Sequence, residues 1–425
     1  MLVRILICYC CSFIVTANVV AQEDNANIIS SIRFSGINKT QPIYLKLFVH
    51  SKVDEPLFPE IVEADVQRLK NLIGVGNATY HLDTTGQTIN LIFDIVEVKT
   101  LLPIINFGGI RGNVWFQLGF ADANWRGKGH FLSGTYQNID QRHSGGIFYR
   151  IPRILRSEWG GSVSLSTWSS REPLFFPEGT VNYDYDIKSV GATAIRNLGV
   201  HHTFEFGGTF FLEQYEKSGS QFLEDTPGPD ALTQPKLLGK WEYRANFLNY
   251  HFFYLDGLTW RTTIQNVFNT DDQTWFNSLQ VQGKYFRRIG KKGNLAFRLR
   301  LGLATNNDTP FAPYVLDSNV NIRGVGNRID RGTAQVILNT EYRHTIQTSD
   351  RWAMQLVVFS DSGTWRNPGG SFDDLLDPDQ FRQFIGGGFR LIYRKFYGAV
   401  LRIDYGFDTF NKKQHGLVIG FGQYF

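Results

Sequence analysis

Residues 295–301 read Leu-Ala-Phe-Arg-Leu-Arg-Leu, and this stretch decides the fold of the chain. In an extended strand, successive side chains point to opposite faces, so the four large apolar residues share one face. The alanine and the two arginines, Arg298 and Arg300, share the other face. An arginine facing lipid at the middle of a membrane would cost about 2–4 kcal/mol, whereas a polar lumen tolerates it. The stretch therefore predicts a strand with lipid on one side and a polar lumen on the other.

The same pattern extends over residues 104–425, in which we find no convincing helix. Segments of about ten residues alternate in polarity and are separated by Gly, Asn, Asp and Pro, as in transmembrane barrels. We predict about sixteen strands, an even number as bacterial barrels require. The alternative is a soluble sandwich or propeller, but the region has no blade-length repeat and is long for a sandwich. The predicted strand centres are residues 116, 133, 148, 164, 191, 206, 241, 263, 281, 299, 313, 337, 357, 388, 402 and 420, with 170–182 and 216–235 as connections.

The composition agrees with a large β-rich protein. Of 425 residues, 15% are aromatic and 42 are Gly, yet the mean hydropathy is -0.21. This composition is too polar for a helical membrane protein and too aromatic for a disordered chain. The net charge of +4 is small for this length, so the sequence predicts no nucleic-acid partner.

Residues 1–21 have the organisation of a secretory signal peptide. Arg4 precedes an apolar stretch from Ile5 to Val15, and Val19 and Ala21 stand at the small-residue positions before a cleavage point. The alternatives are a buried first element of a cytosolic domain and a lipoprotein acylated on one of the cysteines. All three cysteines (Cys8, Cys10 and Cys11) lie in this segment, so we expect a mature protein without disulfides or thiolate metal sites.

Residues 22–102 are predicted to form a small α+β domain, followed by the barrel at 103–425. A short strand at 31–36 precedes a helical stretch at 42–48 and a second helix at 59–73 with apolar residues on one face. Two strands follow, at 78–82 and 88–98. This order resembles a POTRA domain, the periplasmic module of outer-membrane assembly and secretion proteins. A generic α+β domain is the alternative.

Near the C-terminus the chain contains an arginine-glycine motif, Ile322-Arg323-Gly324. It resembles the motif of the BamA/TamA-like superfamily, which also includes two-partner secretion transporters. The resemblance implies that a long extracellular loop folds back into the barrel and places the arginine against acidic residues on the wall. Glu341 on the next strand and Asp361 on the strand after it stand in the expected order. Independently, a guanidinium inside a narrow barrel needs carboxylate partners.

Two further stretches resemble the same superfamily. The chain ends Leu417-Val-Ile-Gly-Phe-Gly-Gln-Tyr-Phe425, which is similar to the C-terminal assembly signal of outer-membrane barrels. We expect Phe421 and Phe425 on one face of the last strand, and Tyr424 as part of the same signal. Residues 124–129 resemble the first extracellular turn, between strands one and two.

The resemblance therefore predicts an outer-membrane barrel of about 16 antiparallel strands with one POTRA-like periplasmic domain, which inserts outer-membrane proteins or translocates polypeptides. The domain would capture client strands at the edge formed by residues 78–82, and the seam between the first strand (about 113–120) and the last (417–425) would open. Expected partners are outer-membrane lipid, client polypeptides and periplasmic or lipoprotein accessory subunits. A dedicated secretion pore, a passive pore and a structural anchor are the alternatives. No hydrolase, metalloprotease or nucleotide-binding motif occurs, so we predict no enzyme, no cofactor and no metal.

Overall fold

A computed structural model describes residues 28–425, apart from 86–87, 111–112, 140–141, 155–156, 219–225, 252, 308, 310–311, 317, 319–320, 327–329 and 411–413. The predicted signal peptide, with its three cysteines, lies outside the described residues. Within the described part, no helix is long and apolar enough to cross a membrane.

The N-terminal part is a small α+β domain. It comprises strand β1 (Ile29–Ser35), helix α1 (Pro42–Leu45) with a 3-10 turn (Lys46–Phe48), helix α2 (Pro59–Lys70), strand β2 (Val75–Thr85) and strand β3 (Thr88–Glu97). The sheet order is β1-β3-β2, with β1 parallel and β2 antiparallel to the central β3. Strand β2 is therefore an edge strand.

The core of this domain follows from its sequence periodicity. Alternate residues of β3, from Ile89 to Ile95, are buried, and the last three of them share one core with Val62 and Leu69 from one face of α2. Helix α2 begins at Pro59, which lacks the N–H that would be unpaired at a helix start. Asp65 is buried within α2, where its carboxylate accepts bonds from the backbone N–H groups of His50 (2.7 Å) and Ser51 (2.9 Å). The helix is thereby tied to the segment that precedes it.

The remaining residues form a 16-stranded antiparallel sheet. Each strand pairs with the barrel strands before and after it in the chain, and one long loop interrupts this series. The bounds are Leu101–Ile110 (β4), Asn113–Trp125 (β5), His130–Ile139 (β6), Arg142–Ile151 (β7), Trp159–Phe176 (β8), Gly179–Leu198 (β9), His202–Lys217 (β10), Ala231–His251 (β11), Tyr254–Asn269 (β12), Trp275–Ile289 (β13), Gly293–Ala304 (β14), Ala334–Thr348 (β17), Trp352–Arg366 (β18), Arg382–Tyr393 (β19), Val400–Asp408 (β20) and His415–Phe421 (β21).

The two faces of this sheet differ as residues 295–301 predict. Leu299 and Leu301 of β14 are exposed on the outer face, whereas Arg298 is buried on the inner face. Similar exposed apolar residues lie on the outer face of strands all around the sheet, including Ile147, Val163, Leu356, Val358 and Ile419. The inner face carries charged and amide side chains. This division is the one a lipid-embedded barrel requires.

Two strand predictions are wrong, although the count of sixteen is right. Strand β4 at residues 101–110 was missed, so the first barrel strand is not the one predicted at about 113–120. The strand predicted around residue 313 is a short segment, β15 (Tyr314–Leu316), which pairs with β16 (Asp330–Gly332) outside the barrel sheet. The predicted connection at 170–182 is also mostly strand, because β8 and β9 stay paired as far as Phe176 and Gly179.

The two ends of the barrel are named here by their position relative to the small domain. The turn between β5 and β6 contacts it, since the Gln41 N–H donates to the Gly127 carbonyl (2.9 Å). We call this end proximal and the opposite end distal. The prediction that residues 124–129 join strands one and two of the barrel is wrong, because this turn joins the second and third strands, β5 and β6. The missed strand β4 shifts the order by one, which moves this turn to the proximal end.

The long connections lie at the distal end. They are residues 218–230, 305–333 and 367–381, whereas the proximal turns are short. Short turns at one end and long loops at the other are typical of outer-membrane barrels.

Candidate functional site

The loop at residues 305–333, here called the inner loop, enters the barrel from the distal end. The pair of short strands β15 and β16 lies within it. Ile322 is fully buried and packs with Leu316, Trp365 and Phe384, two of which belong to the barrel wall. The side-chain amide of Asn339 on β17 donates to the Asn321 carbonyl (2.7 Å). The inner loop is thus fixed to the wall immediately before Arg323.

Arg323 lies at the centre of this contact and is completely buried. Its guanidinium binds Asp361 of β18 through two nitrogens, with Nε to Oδ2 at 2.8 Å and Nη2 to Oδ1 at 2.9 Å. Its backbone N–H also donates to Asp361 (3.0 Å), and Nη1 donates to Glu341 of β17. The structure therefore brings together Arg323, Glu341 and Asp361, the three residues that the motif singled out.

Three further charged residues complete the cluster. Arg343 of β17 binds Glu341, and Arg390 of β19 binds Asp404 of β20 through two nitrogens, at 2.7 and 3.1 Å. Arg390 also donates to Glu341 (3.4 Å). Each of these residues is at most 1% exposed. We call these six residues the arginine cluster: Arg323, Arg343, Arg390, Glu341, Asp361 and Asp404.

The balance of charge explains how the arginine cluster is tolerated. Three positive and three negative side chains neutralise one another, and planar guanidinium groups match carboxylates with two parallel bonds. Removing one member of such a buried set leaves an uncompensated charge and costs about 3–5 kcal/mol. Aromatic rings cover the remaining faces of Arg323, with its central carbon 3.7 Å from the Phe359 centroid and 4.4 Å from that of Tyr424.

Gly324 allows the inner loop to lie directly against the last strands. It adopts φ +95°, and a Cβ there would lie 2.9 Å from the Gly406 carbonyl oxygen of β20. A Cβ at Gly406 would in turn lie 2.5 Å from the Arg323 carbonyl oxygen. Glycines are therefore required on both sides of this contact, which explains why Arg323 is followed by glycine.

The C-terminal residues end inside the barrel. Strand β21 stops at Phe421, Gly422 adopts φ +85°, and the last residues turn inward. Tyr424 and Phe425 are buried, and the Tyr424 hydroxyl donates to the Ser318 carbonyl of the inner loop (3.0 Å). Phe421 is instead 68% exposed on the outer face. The expectation that Phe421 and Phe425 share one face is wrong, because Gly422 reverses the chain between them.

This C-terminal tail contacts the arginine cluster directly. Arg390 donates to the Gln423 side chain (3.2 Å), and Arg343 donates to the Phe425 carbonyl (3.2 Å). The Phe425 ring packs with Phe286 of β13. The inner loop, the C-terminal tail and four wall strands therefore meet at one point.

The edges of the barrel sheet are β4 and β21. Among the described residues, no backbone ladder joins these two strands. Below this seam, at the proximal end, Lys99 forms two backbone bonds with the turn between β19 and β20. Its N–H donates to the Lys395 carbonyl (3.0 Å), and its carbonyl accepts from the Tyr397 N–H (2.9 Å).

The small domain is docked on the proximal rim. The Lys39 ammonium binds the Asp122 carboxylate of β5 (2.8 Å), and the Asn124 amide donates to Thr40 (2.9 Å). On another part of the rim, Asn71 at the end of α2 accepts from the Tyr250 N–H of β11 (2.9 Å). The domain is held to the barrel at β5 and again at β11, six strands away.

Glu97 at the end of β3 shapes the docking segment. Its carboxylate accepts bonds from the backbone N–H groups of Asn38 (2.9 Å), Lys39 (2.9 Å) and Thr40 (2.7 Å). Burial alone would raise the pKa of this carboxyl group, but these donors hold the pKa below its ordinary value of 4.5.

Sequence reasoning did not single out Arg343, Arg390 and Asp404. Each occupies an inward-facing position two residues or one strand away from another cluster member. The alternation of inward- and outward-facing side chains was the available signal, but it identifies neighbours only when the strand pairing is known. Within the described residues, no group of three His, Cys, Asp or Glu side chains has a metal-binding arrangement.

The architecture is similar to that of solved barrels. A crystal structure of BamA from Haemophilus ducreyi lacking POTRA domains 1-3 is 14% identical, with a TM-score of 0.53 over 93% of this chain and 83% of that one. CdiB from Acinetobacter baumannii is 13% identical, with a TM-score of 0.58 over 94% and 74%. CdiB from Escherichia coli is 9% identical, with a TM-score of 0.59 over 92% and 75%. No family model and no curated protein sequence matches the chain.

At these identities the likeness is one of fold. It confirms the predicted fold class, a mainly β protein with a barrel of about sixteen antiparallel strands, and the barrel has the fold of these BamA and CdiB structures. The identification of the small domain as a POTRA domain remains a prediction.

Proposed function

We propose that this chain is an outer-membrane barrel that assembles outer-membrane proteins or translocates polypeptides. The observation that carries the proposal is the arginine cluster, which ties an inner loop and the C-terminal tail to strands β17–β20 beside an unpaired seam. A porin whose strands are paired all around the barrel has no seam. It therefore has no need for a loop fixed to the wall beside one. In a protein-handling barrel, such a contact would couple the seam to the lumen.

The proposed localisation rests on the outer face of the barrel and on the small domain. The outer face exposes large apolar side chains on nearly every strand, as lipid contact requires. The small domain would lie in the periplasm, because barrels of this kind have short turns on the periplasmic side. The predicted signal peptide agrees with export.

The small domain would capture clients by strand addition. Its edge strand β2 offers unpaired backbone groups along residues 75–85, which include the predicted edge at 78–82. The domain is held at the rim by a few polar contacts. A strand bound at β2 would therefore start close to the proximal mouth of the barrel.

The seam would offer the second pairing edge. Strand β4 has ten residues and β21 has seven, and neither pairs with the other. The inward turn at Gly422 shortens β21 and leaves the β4 edge uncovered at the proximal end. Edge strands of this kind template the pairing of another chain. Client folding would supply the free energy, and we infer no enzymatic activity, no cofactor and no metal requirement.

A dedicated secretion pore is the second candidate. One small domain docks at two points on the rim of the barrel, which would suit a single partner protein better than many clients. Passive conduction and a structural anchor are the weaker alternatives, because neither uses the arginine cluster.

Depletion of the protein, followed by proteomics of the outer membrane and of the secreted fraction, tests the proposal. We expect loss of several barrel proteins for an assembly factor, and loss of one secreted protein for a dedicated pore. Cells complemented with Arg323→Ala should show the same loss, whereas cells complemented with Arg171→Ala should not, because Arg171 forms an exposed ion pair with Asp184. Unchanged proteomes after depletion would refute the proposal.

A further inference from the structure

Positive charge is concentrated on one part of the inner wall. Towards the middle of β11 to β14, the inner face carries six basic side chains and one acidic side chain, Glu242. We call these six residues the cationic wall: Lys240, Arg244, Arg261, Lys284, Arg298 and Arg300. The excess of five positive charges exceeds the net charge of +4 of the whole chain. These four strands therefore carry a local excess of positive charge.

The strand register places these residues side by side. Arg244 lies opposite Arg261, and the row continues through Gln282 to Arg300. Neighbouring strands are about 4.8 Å apart, so this row is about 14 Å long, which matches about four residues of an extended peptide. Lys284 and Arg298 form a second row next to it.

Two carboxylates contact this set. Glu242 binds Lys240 (2.8 Å), Arg261 (3.2 Å) and Arg244. Glu205 of β10, which also binds Arg150, lies 3.5 Å from Arg244. Arg298 also donates to the amide of Asn339 (2.9 Å), and Arg300 donates to that of Asn321 (2.6 Å). For Lys284, the described residues supply no ion-pair partner, and its charged neighbours are arginines.

Part of the cationic wall is accessible, whereas Arg298 is buried against the rings of Tyr424 and Phe425. The side chains of Lys240, Arg244 and Arg261 are 33%, 31% and 44% exposed, whereas Arg323 is fully buried. On strands β8 and β9, which β10 separates from the cationic wall, the inner face carries small residues such as Ser162, Ser164 and Thr193. These short side chains leave space to one side of the cationic wall. Walls of low dielectric concentrate its field in that space.

We propose that the cationic wall binds carboxylate-rich segments of polypeptide inside the lumen and makes the aqueous path through the barrel selective for anions. The identity of the bound polymer as a client rests on the proposed function, whereas the charge selectivity does not. Acidic stretches would be held transiently by several long, mobile cations. Basic stretches would be repelled.

Fluorescence anisotropy with the full-length protein in detergent tests the binding, using fluorescein-labelled decaglutamate as the probe and decalysine as its counterpart. The test variant combines Lys240→Gln, Arg261→Gln and Lys284→Gln, and it keeps Arg244 as the partner of Glu242. The control variant combines Arg171→Gln, Lys188→Gln and Arg287→Gln, three exposed residues outside the lumen. Heat-modifiable mobility on gels checks that both variants are folded.

We expect decaglutamate to bind the wild type and the control equally, and the test variant about tenfold or more weakly, because three charges are lost. Decalysine should not bind. In planar bilayers with a KCl gradient, the reversal potential should indicate chloride preference for the wild type and move towards zero for the test variant. Equal decaglutamate binding by all three proteins, or cation preference of the wild type, would overturn the inference. If this inference fails, the depletion proteomes still decide the proposed function. If the proposed function fails, the reversal potential still decides the charge selectivity of the lumen.

Discussion

Arg323 is the residue on which the inner loop depends, and its replacement should be costly. Arg323→Ala removes one of three positive charges and leaves Glu341 and Asp361 short of a partner in a dry site. We expect a loss of about 3–5 kcal/mol in the free energy of unfolding. Arg323→Lys should recover little, because an ammonium cannot bind Asp361 through two parallel bonds.

Urea titration of the folded barrel, followed by tryptophan fluorescence, measures these differences. The matched control is Arg171→Ala at an exposed ion pair, where we expect a loss of no more than about 1 kcal/mol. An Arg323→Ala protein as stable as this control would mean that the arginine cluster does not hold the inner loop.

Tyr424 is the residue that joins the C-terminal tail to the inner loop. Tyr424→Ala removes the ring that covers Arg323 and the hydroxyl that donates to Ser318. We expect the inner loop to detach more often, so that limited trypsin digestion cleaves after Arg323. Tyr424→Phe keeps the ring and loses only one hydrogen bond, worth about 0.5–1.5 kcal/mol, so its cleavage should stay close to that of the wild type. Equal cleavage of Tyr424→Ala and wild type would show that the tail does not secure the inner loop.

At this scale, the sequence identified half of the arginine cluster. Arg323, Glu341 and Asp361 were found because a motif and its order single them out. Arg390 and Asp404 were missed because their meeting depends on the register between β19 and β20, which places Arg390 beside Arg402 and Asp404 beside Gly388. The inward turn of the C-terminal tail was also missed, since Gly422 read as one more residue of an alternating strand.

Among the elements, the alternation of apolar and polar side chains within strands was predicted well. The assignment of segments to the barrel sheet was less accurate. Strand β4 escaped notice because Pro103 and the pair Gly108-Gly109 interrupt its pattern. The segment around residue 313 was counted instead, because a short apolar run reads in the same way whether it lies in a wall or in a loop. Pro173 and Gly179 made the hairpin of β8 and β9 read as a connection, although the two strands stay paired as far as Phe176 and Gly179.

The docking segment of the small domain should respond to acid. Glu97 has a pKa below 4.5 in the folded protein because backbone N–H groups of residues 38–40 donate to its charged form. A depressed folded pKa means that this contribution to stability is fully present above pH 4.5 and is lost as the pH falls through the folded pKa. We therefore expect the domain to loosen from the rim only in this acidic range.

Amide exchange of residues 38–40, measured between pH 3 and 6 and corrected for intrinsic rates, checks this expectation. Glu97→Gln should show the loosened state at every pH, since a neutral amide is a weaker acceptor than a carboxylate. Equal protection in wild type and Glu97→Gln at neutral pH would contradict the prediction.

For the whole molecule, the outer face must be in lipid if the proposed localisation is right. Val358 lies in the middle of β18 and is 61% exposed. Val358→Arg should destabilise the folded barrel in lipid vesicles by about 2–4 kcal/mol, because the charge would lie near the centre of the membrane. Val358→Leu, the apolar control, should fold as well as the wild type. An arginine that has no effect here would argue against a membrane around this face.

Lys99 holds the proximal end of the seam between β4 and β21, because its backbone N–H and carbonyl both bond to the turn between β19 and β20. Lys99→Pro removes the N–H that binds the Lys395 carbonyl and disturbs the return bond from Tyr397, whereas Lys99→Ala keeps both backbone groups and loses only the contact with the Phe396 ring. We expect faster amide exchange in β4 and β21 for Lys99→Pro and little change for Lys99→Ala. If the arginine cluster holds β21 through the C-terminal tail, combining Lys99→Pro with Tyr424→Ala should raise exchange in β21 by more than the two separate effects together. Simple additivity would mean that the seam and the inner loop act independently, and that the cluster does not couple them.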